Sequence, residues 1–143
     1  MRHAKRRAKL GRTTSHRRCM IANMLKSLVY SEKIETTVQK AKEIRRFADK
    51  LVTKAKEGSL ASRRQVIAEL MIQYNTLTPK QQRAAKAGYT SCYNVDRQVV
   101  EKLFSVLGPR FQDRQGGYTR ITRLPKTRVG DNAERCYLEY LSE

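Results

Sequence analysis

Residues 33–58 read KIETTVQKAKEIRRFADKLVTKAKEG, and the change of pattern inside this run sets the architecture. Lys33 to Thr37 is rich in β-branched residues and reads as a short strand. From Val38 onward the period lengthens. Val38, Ala41, Ile44, Ala48, Leu51, Val52 and Ala55 recur at the spacing of one helix face, and Gly58 is a natural C-terminal stop. The other face carries Lys40, Lys42, Arg45, Arg46, Lys50 and Lys54. That face reads equally well as a solvated helix surface or as a nucleic-acid contact.

Toward the N-terminus, Ser15 is a candidate cap for a helix that runs to about Tyr30. Its apolar stripe is Ile21, Met24, Leu25, Leu28 and Val29. Toward the C-terminus, a helix is expected to start near Ser59 or Ser62, where Ser62 and Gln65 have capping-box spacing. Val66, Ile67, Leu70, Met71 and Tyr74 form its expected buried side. Thr78-Pro79-Lys80-Gln81 combines an N-cap, a proline at the first position and a glutamine three residues after the cap. The short helix it opens is expected to stop at Gly88. Asn94 caps a further helix through Val95, Val99, Val100, Leu103, Phe104 and Leu107, ended by Gly108-Pro109. Tyr118–Leu124 and Cys136–Leu141 then read as two antiparallel strands, joined by 125–135 with a turn at Gly130-Asp131-Asn132. The expected fold is α+β: a compact domain over 15–143 with four to five helices on a small, roughly three-stranded sheet. A basic extension over 1–14 precedes it.

Charge limits the partners. The 143 residues include 31 Lys and Arg against 13 Asp and Glu, a net charge of +18. A domain this basic repels itself unless a polyanion neutralises it. An anionic membrane is a poor fit, because the chain has no Trp and only three Phe to serve as apolar anchors. The three cysteines, Cys19, Cys92 and Cys136, form no Cys-x-x-Cys pair, which argues against a disulfide framework or a zinc knuckle. Cys19 and Cys136 lie in apolar stretches and are expected to behave as small hydrophobes. The acid-free, arginine-rich start also fits a transit peptide, but we expect it to be kept as part of the working chain.

Catalytic patterns are missing. The only histidines are His3 and His16, and no metalloprotease, nucleophile-elbow, phosphate-loop or dinucleotide fingerprint occurs. Glu43, Asp49 and Glu57 read as ordinary ion pairs of a basic helix. We expect no enzyme activity, no cofactor, no metal and no small-molecule substrate. His3 beside Lys5, Arg6 and Arg7 reads as a phosphate or base contact.

Two basic clusters remain. Arg2, Lys5, Arg6, Arg7, Lys9, Arg12, Arg17 and Arg18 crowd the first 18 residues, and the first acid is Glu32. Such an arm gains affinity by releasing condensed counterions, and it can thread between RNA helices. Arg110, Arg114, Arg120, Arg123, Lys126 and Arg128 form the second cluster, with Asp113 its only acid. Gly116 and Gly117 inside it permit close approach of backbone to a phosphate, or simply a turn. Tyr118 offers a stacking ring, although core packing is the more frequent role. Charge alone leaves a chromosome-associated DNA-binding protein as the alternative.

Ordered motifs favour RNA. Met1-Arg-His, Ser15-His16-Arg17, Asn23-Met24, Ser27-Leu28, Thr36-Thr37, Lys40-Ala41-Lys42-Glu43, Arg45-Arg46 and Arg63-Arg64 are followed by Lys102-Leu103-Phe104, Gly108-Pro109-Arg110-Phe111, Gly116-Gly117-Tyr118-Thr119-Arg120-Ile121 and Gly130-Asp131-Asn132-Ala133. In this order they resemble the bacterial ribosomal large-subunit protein seventeen family, from Met1 to the final strand. The resemblance implies a structural constituent of the large subunit, bound to its ribosomal RNA near the polypeptide exit side and touching neighbouring large-subunit proteins. It implies RNA-facing roles for Arg2, His3, Ser15, His16, Arg17, Asn23, Arg110, Gly116, Gly117, Tyr118 and Arg120. Lys5, Arg6, Arg7, Lys9, Arg12, Arg18, Arg114 and Arg123 join them on charge alone. One stretch departs from the family pattern: 74–93 reads as an insertion, with Lys80, Arg83 and Lys86 and no acid.

Overall fold

A computed structural model of the protein describes residues 8–142. Arg2, His3, Lys5, Arg6 and Arg7 lie outside the described residues. Helix α2 (Val38–Glu57) is the central element, and its apolar stripe is buried as its spacing predicts. Around it pack α1 (Thr14–Ser31), α3 (Leu60–Glu69) and the three-stranded sheet. Two further helices, α4 (Pro79–Lys86) and α5 (Val95–Lys102), precede a π-helical turn over Leu103–Leu107 and a last short turn, α6 (Gly108–Arg110). Ile44, Leu51 and Val52 on α2 meet Leu28, Val66, Leu70, Leu103, Leu107 and Leu138 in one core. Burial of each such side chain contributes about 1.5–3 kcal/mol relative to exposure.

The sheet joins sequence-distant strands in the order β1 (Lys33–Thr37), β3 (Arg135–Tyr140), β2 (Thr119–Arg123), with both pairings antiparallel. Leu138 lies opposite Ile34 on one side and Ile121 on the other. This register, with its period of two, puts those residues with Cys136 and Tyr140 on the helix side. Glu139 lies between Lys33 and Arg120 in the alternate row. The Tyr140 ring is buried and packs near Phe111, 6.3 Å between centroids, and burial raises its phenol above the ordinary pKa.

Several boundaries differ from the sequence expectation. Helix α1 begins at Thr14 after Thr13, whose side chain makes no capping bond, so Ser15 sits inside the first turn. Helix α3 is capped by Ser59, one of the two expected starts, which accepts from the Ser62 amide at 3.0 Å; Ser62, the other, is buried and donates its hydroxyl to Glu57. The helix ends at Glu69, and Met71 turns the chain at φ +51°, so Met71 and Tyr74 are exposed rather than core residues. Val95 is exposed too. Gly108-Pro109 does not end the last helix. A proline inside an α-helix removes one backbone bond and crowds the preceding turn. Here the chain widens into the π-turn first, and Pro109 then sits in the opening positions of α6. The expected buried Cys19 is exposed, its Sγ 4.0 Å from Met71 Sδ; Cys136 is buried, which pushes its thiol pKa up.

One ionic junction ties the N-terminal half to the C-terminal half. Glu32 follows α1 in the left-handed region at φ +59°, and its backbone carbonyl accepts from the Tyr140 amide at 2.9 Å. Its carboxylate meets Arg110 at 2.5 Å and Lys102 at 2.8 Å. Hydrogen bonds from Arg110 and Lys102 hold its carboxyl pKa down, from 4.5 to about 2. The folded value lies below the unfolded one, so this stabilisation is complete above about pH 4.5 and is lost as pH falls from there toward 2. The junction is partly exposed, so solvent screening limits Glu32→Gln to a cost of about 1–2 kcal/mol at pH 7. Thermal melts of both proteins should converge as the buffer approaches pH 2. An equal gap at every pH would show that the carboxylate charge is irrelevant.

Candidate nucleic-acid interface

The loop before β2 is built by its own cations. Arg114 Nε donates to the carbonyls of Gly116 at 3.1 Å and Gly117 at 3.2 Å. Both glycines adopt positive φ, +128° and +61°, which explains why glycine stands at each position. From the last turn of α2, Lys56 Nζ donates to the Arg114 carbonyl at 2.7 Å. Tyr118 donates its hydroxyl to the same carbonyl at 3.1 Å, and its ring packs on Phe111 with centroids 5.2 Å apart. Tyr118 is only 3% exposed, so of the two roles weighed for it, stacking and core packing, its ring takes core packing and anchors this loop.

The anchored loop lies against α2 and forms a groove of about 450 Å³, lined by Arg45, Arg114, Gly117, Thr119, Arg120, Ile121 and Leu141. Three arginines from three segments converge there, and no acid is among the described residues that line it. The Arg45 and Arg120 residues are exposed. Thr119 is buried and directs its hydroxyl to Asp49 Oδ1 at 3.1 Å, which joins β2 to α2 under the groove. The sequence reading missed Arg45 as a site residue. No local pattern separates it from the other cations of α2; only its position opposite the 114–121 segment does.

The other expected contacts fall into three groups. Lys9, Arg12, Ser15, His16, Arg18 and Asn23 are exposed, and His16 and Asn23 share the outer face of α1. Asn23 also borders a second groove, of about 400 Å³, with Lys26, Ser27 and Tyr30. Arg17 turns back on the arm and donates to the carbonyls of Lys9 at 3.3 Å and Arg12 at 3.2 Å. Arg110 is committed to Glu32, and Arg123 lies on the edge strand 3.8 Å from Glu134. The structure therefore separates Arg110, which serves the fold, from Arg114 and Arg120, which face the groove.

The acids of α2 do more than pair within their own helix. Buried Glu43 accepts from the Ala8 amide at 3.3 Å and lies 3.9 Å from Arg46, so it moors the base of the N-terminal arm. Glu57 holds the start of α3 through Ser62, and Asp49 holds β2. Among the described residues no group of three or more His, Cys, Asp or Glu is placed to hold a metal ion, and no helix is long and apolar enough to cross a membrane.

A modest core that displays cations from a moored arm, a basic helix and an arginine-lined groove defines a class: small, basic α+β proteins whose surface suits a polyanionic partner. Comparison with known proteins narrows the class. The sequence model of the family described as ribosomal protein L17 matches residues 20–141, and the chain belongs to that family. It is 63% identical over 143 residues to the large ribosomal subunit protein bL17 of Protochlamydia amoebophila (strain UWE25), covering 100% of both chains. It is 58% identical over 143 residues to the protein of that name from Chlamydia muridarum (strain MoPn / Nigg), again covering 100% of both. With the Chlamydia pneumoniae protein it shares 59% over 142 residues, 99% of each chain. The family is a structural, non-enzymatic component of the bacterial ribosome, which also places the chain in the cytoplasm.

Proposed function

We propose that the chain is a structural constituent of the bacterial large ribosomal subunit that binds and stabilises large-subunit ribosomal RNA near the polypeptide exit side, beside neighbouring large-subunit proteins. The observation that carries the RNA-binding reading is the convergence of Arg45, Arg114 and Arg120 around one acid-free groove. Two guanidinium groups on its walls, Arg45 and Arg120, make no ion pair among the described residues, unlike Arg110 and Arg123. Guanidinium groups bind phosphate through two parallel N–H donors, a geometry that suits a backbone running along such a groove. The N-terminal cluster, Arg2, His3, Lys5, Arg6, Arg7, Lys9, Arg12, Ser15, His16, Arg17 and Arg18, supplies the second contact, with Asn23 beside it on α1. The rival reading as a DNA-binding protein predicts no preference between polyanions. Full-length relatives that bear the name of a large-subunit protein favour RNA.

The test is binding of the full chain to deproteinised large-subunit RNA, with duplex DNA of equal charge as competitor. With about eight phosphates neutralised, the log–log dependence of affinity on salt should have a slope of roughly −6 to −7. The RNA should resist displacement by the DNA. A nearly salt-independent affinity, or equal competition by the duplex, would remove the proposal. Cross-linking within assembled subunits reports separately on the exit-side position.

A further inference from the structure

Residues 73–94 leave the core after α3 and return to it at α5, and the neck of this excursion is stitched shut. Asn75 donates from Nδ2 to the Cys92 carbonyl at 2.9 Å, and Asn94 Nδ2 donates to the Gln73 carbonyl at 2.7 Å. Arg97, from the first turns of α5, plugs the neck. Its Nε donates to Asn75 Oδ1 at 3.0 Å and its guanidinium to the Asn75 carbonyl at 2.9 Å. The same guanidinium lies 4.6 Å from the Tyr74 ring centroid and 5.4 Å from that of Tyr93. A charged, planar group held between two rings and two carbonyl-type oxygens fixes the direction in which the excursion leaves the domain.

At the far end stands α4. It starts with a complete capping box: the Gln81 amide donates to Thr78 Oγ1, and the Thr78 amide donates to Gln81 Oε1. With Pro79 in its first turn, the helix is stable although none of its residues is buried. Lys80, Arg83 and Lys86 recur every three residues along one ridge about 9 Å long. All three are exposed, and no acid occurs from Leu70 to Val95. Tyr89, 70% exposed, follows Gly88 at the end of the helix. A helix that buries nothing does not serve the core, and its three unopposed cations add to the self-repulsion of a +18 chain.

We infer that 75–93 is a preorganised arm whose α4 ridge binds a ribosomal RNA backbone at a place separate from the Arg45–Arg120 groove, with Tyr89 stacking on an unpaired base and Arg97 as the positioning residue. The inference rests on the RNA-binding reading proposed above. RNA is favoured over an acidic protein surface because an exposed aromatic ring ends the basic ridge. Aromatic side chains stack on unstacked bases with little sequence demand. Because the neck is closed before binding, the arm loses little conformational freedom on contact, unlike a disordered tail.

Hydroxyl-radical footprinting of deproteinised large-subunit RNA with the full chain tests this. Four proteins are compared with the wild type: Lys80→Ala/Arg83→Ala/Lys86→Ala, Tyr89→Ala, Arg97→Lys and Arg45→Ala/Arg120→Ala. The substituted α4 residues are exposed, so the triple variant should melt as the wild type does. It should lose one block of protected nucleotides, keep the block that the groove variant loses, and show a salt slope shallower by about 2 units. Tyr89→Ala should lose protection of a single-stranded position inside that block. Arg97→Lys keeps the charge but loses the two-oxygen grip, and it should blur the arm's block while the groove's block stays. An unchanged footprint in the triple variant would overturn the inference, including the case in which that variant instead loses a cross-link to a neighbouring protein. If the wild-type chain protects no RNA, the RNA-binding reading itself falls.

Discussion

Gly108→Ala is expected to destabilise the fold by about 1–3 kcal/mol, a cost typical of overpacking a full core. The residue is buried, where the π-turn passes into α6. A Cβ built at this position would lie 3.0 Å from the Ala55 carbonyl oxygen and 3.3 Å from its carbon. Those atoms belong to the backbone of α2, the helix every other layer packs on, so they cannot swing aside as the tip of a side chain would. Backbone dihedrals are not the issue. Gly108 has φ −56°, which any residue adopts in a helix. The glycine is there for proximity, and the expected signature is a lowered midpoint in urea with an unchanged slope. Gly108→Val should cost more, because branching adds methyl groups at the same contact. A Gly108→Ala protein as stable as the wild type would mean that α6 can slide away from α2 without loss.

The second large effect is functional. Arg45→Ala/Arg120→Ala is expected to weaken binding to large-subunit RNA by roughly 10²-fold, about tenfold for each phosphate-binding guanidinium removed. The salt slope should fall by about 1.4–1.8 units. Both side chains are exposed, so the melting temperature should move little. Arg45→Lys/Arg120→Lys separates charge from geometry: the slope should return, whereas affinity should recover only in part, because an ammonium cannot make two parallel bonds to one phosphate. Filter binding at several salt concentrations gives both quantities. Full affinity in the double alanine variant would show that the groove faces water and that the arm carries the binding alone.

How much of this was readable in advance depended on how local the signal is. The Thr78-Pro79-Lys80-Gln81 start and the Asn94 cap appear where expected, because a cap is a contract between residues three apart. The strand at 33–37 and the following helix also match, since a change from period two to period 3.6 needs no distant partner. The errors fall where a distant element decides. Gly108-Pro109 looks like a stop until α2 is placed beside it. Whether the Tyr118 ring packs or stands free stays open until Phe111 closes over it, and Arg110 looks like its neighbour Arg114 until Glu32, 78 residues away, pairs with its guanidinium. Met71 and Tyr74 continue a plausible stripe, but the positive φ at Met71 takes the chain off the helix axis. Nothing in 74–93 announces that Arg97 will close its neck, because the two asparagines and two tyrosines involved are ordinary residues in ordinary spacings.

By itself, then, the amino-acid sequence determined the class of fold, most of the elements and their order, a net charge that calls for a polyanionic partner and, through ordered motifs, the family. These follow from short-range periodicity, capping and net charge, which act along the chain. The tertiary structure alone decided which cations remain available. An arginine ion-paired with a carboxylate from another element is neutralised and fixed, whereas one that makes no ion pair among the described residues is left to face an anion. That sorting depends on distances between segments tens of residues apart, and it put Arg110 into the fold and Arg45 into the groove.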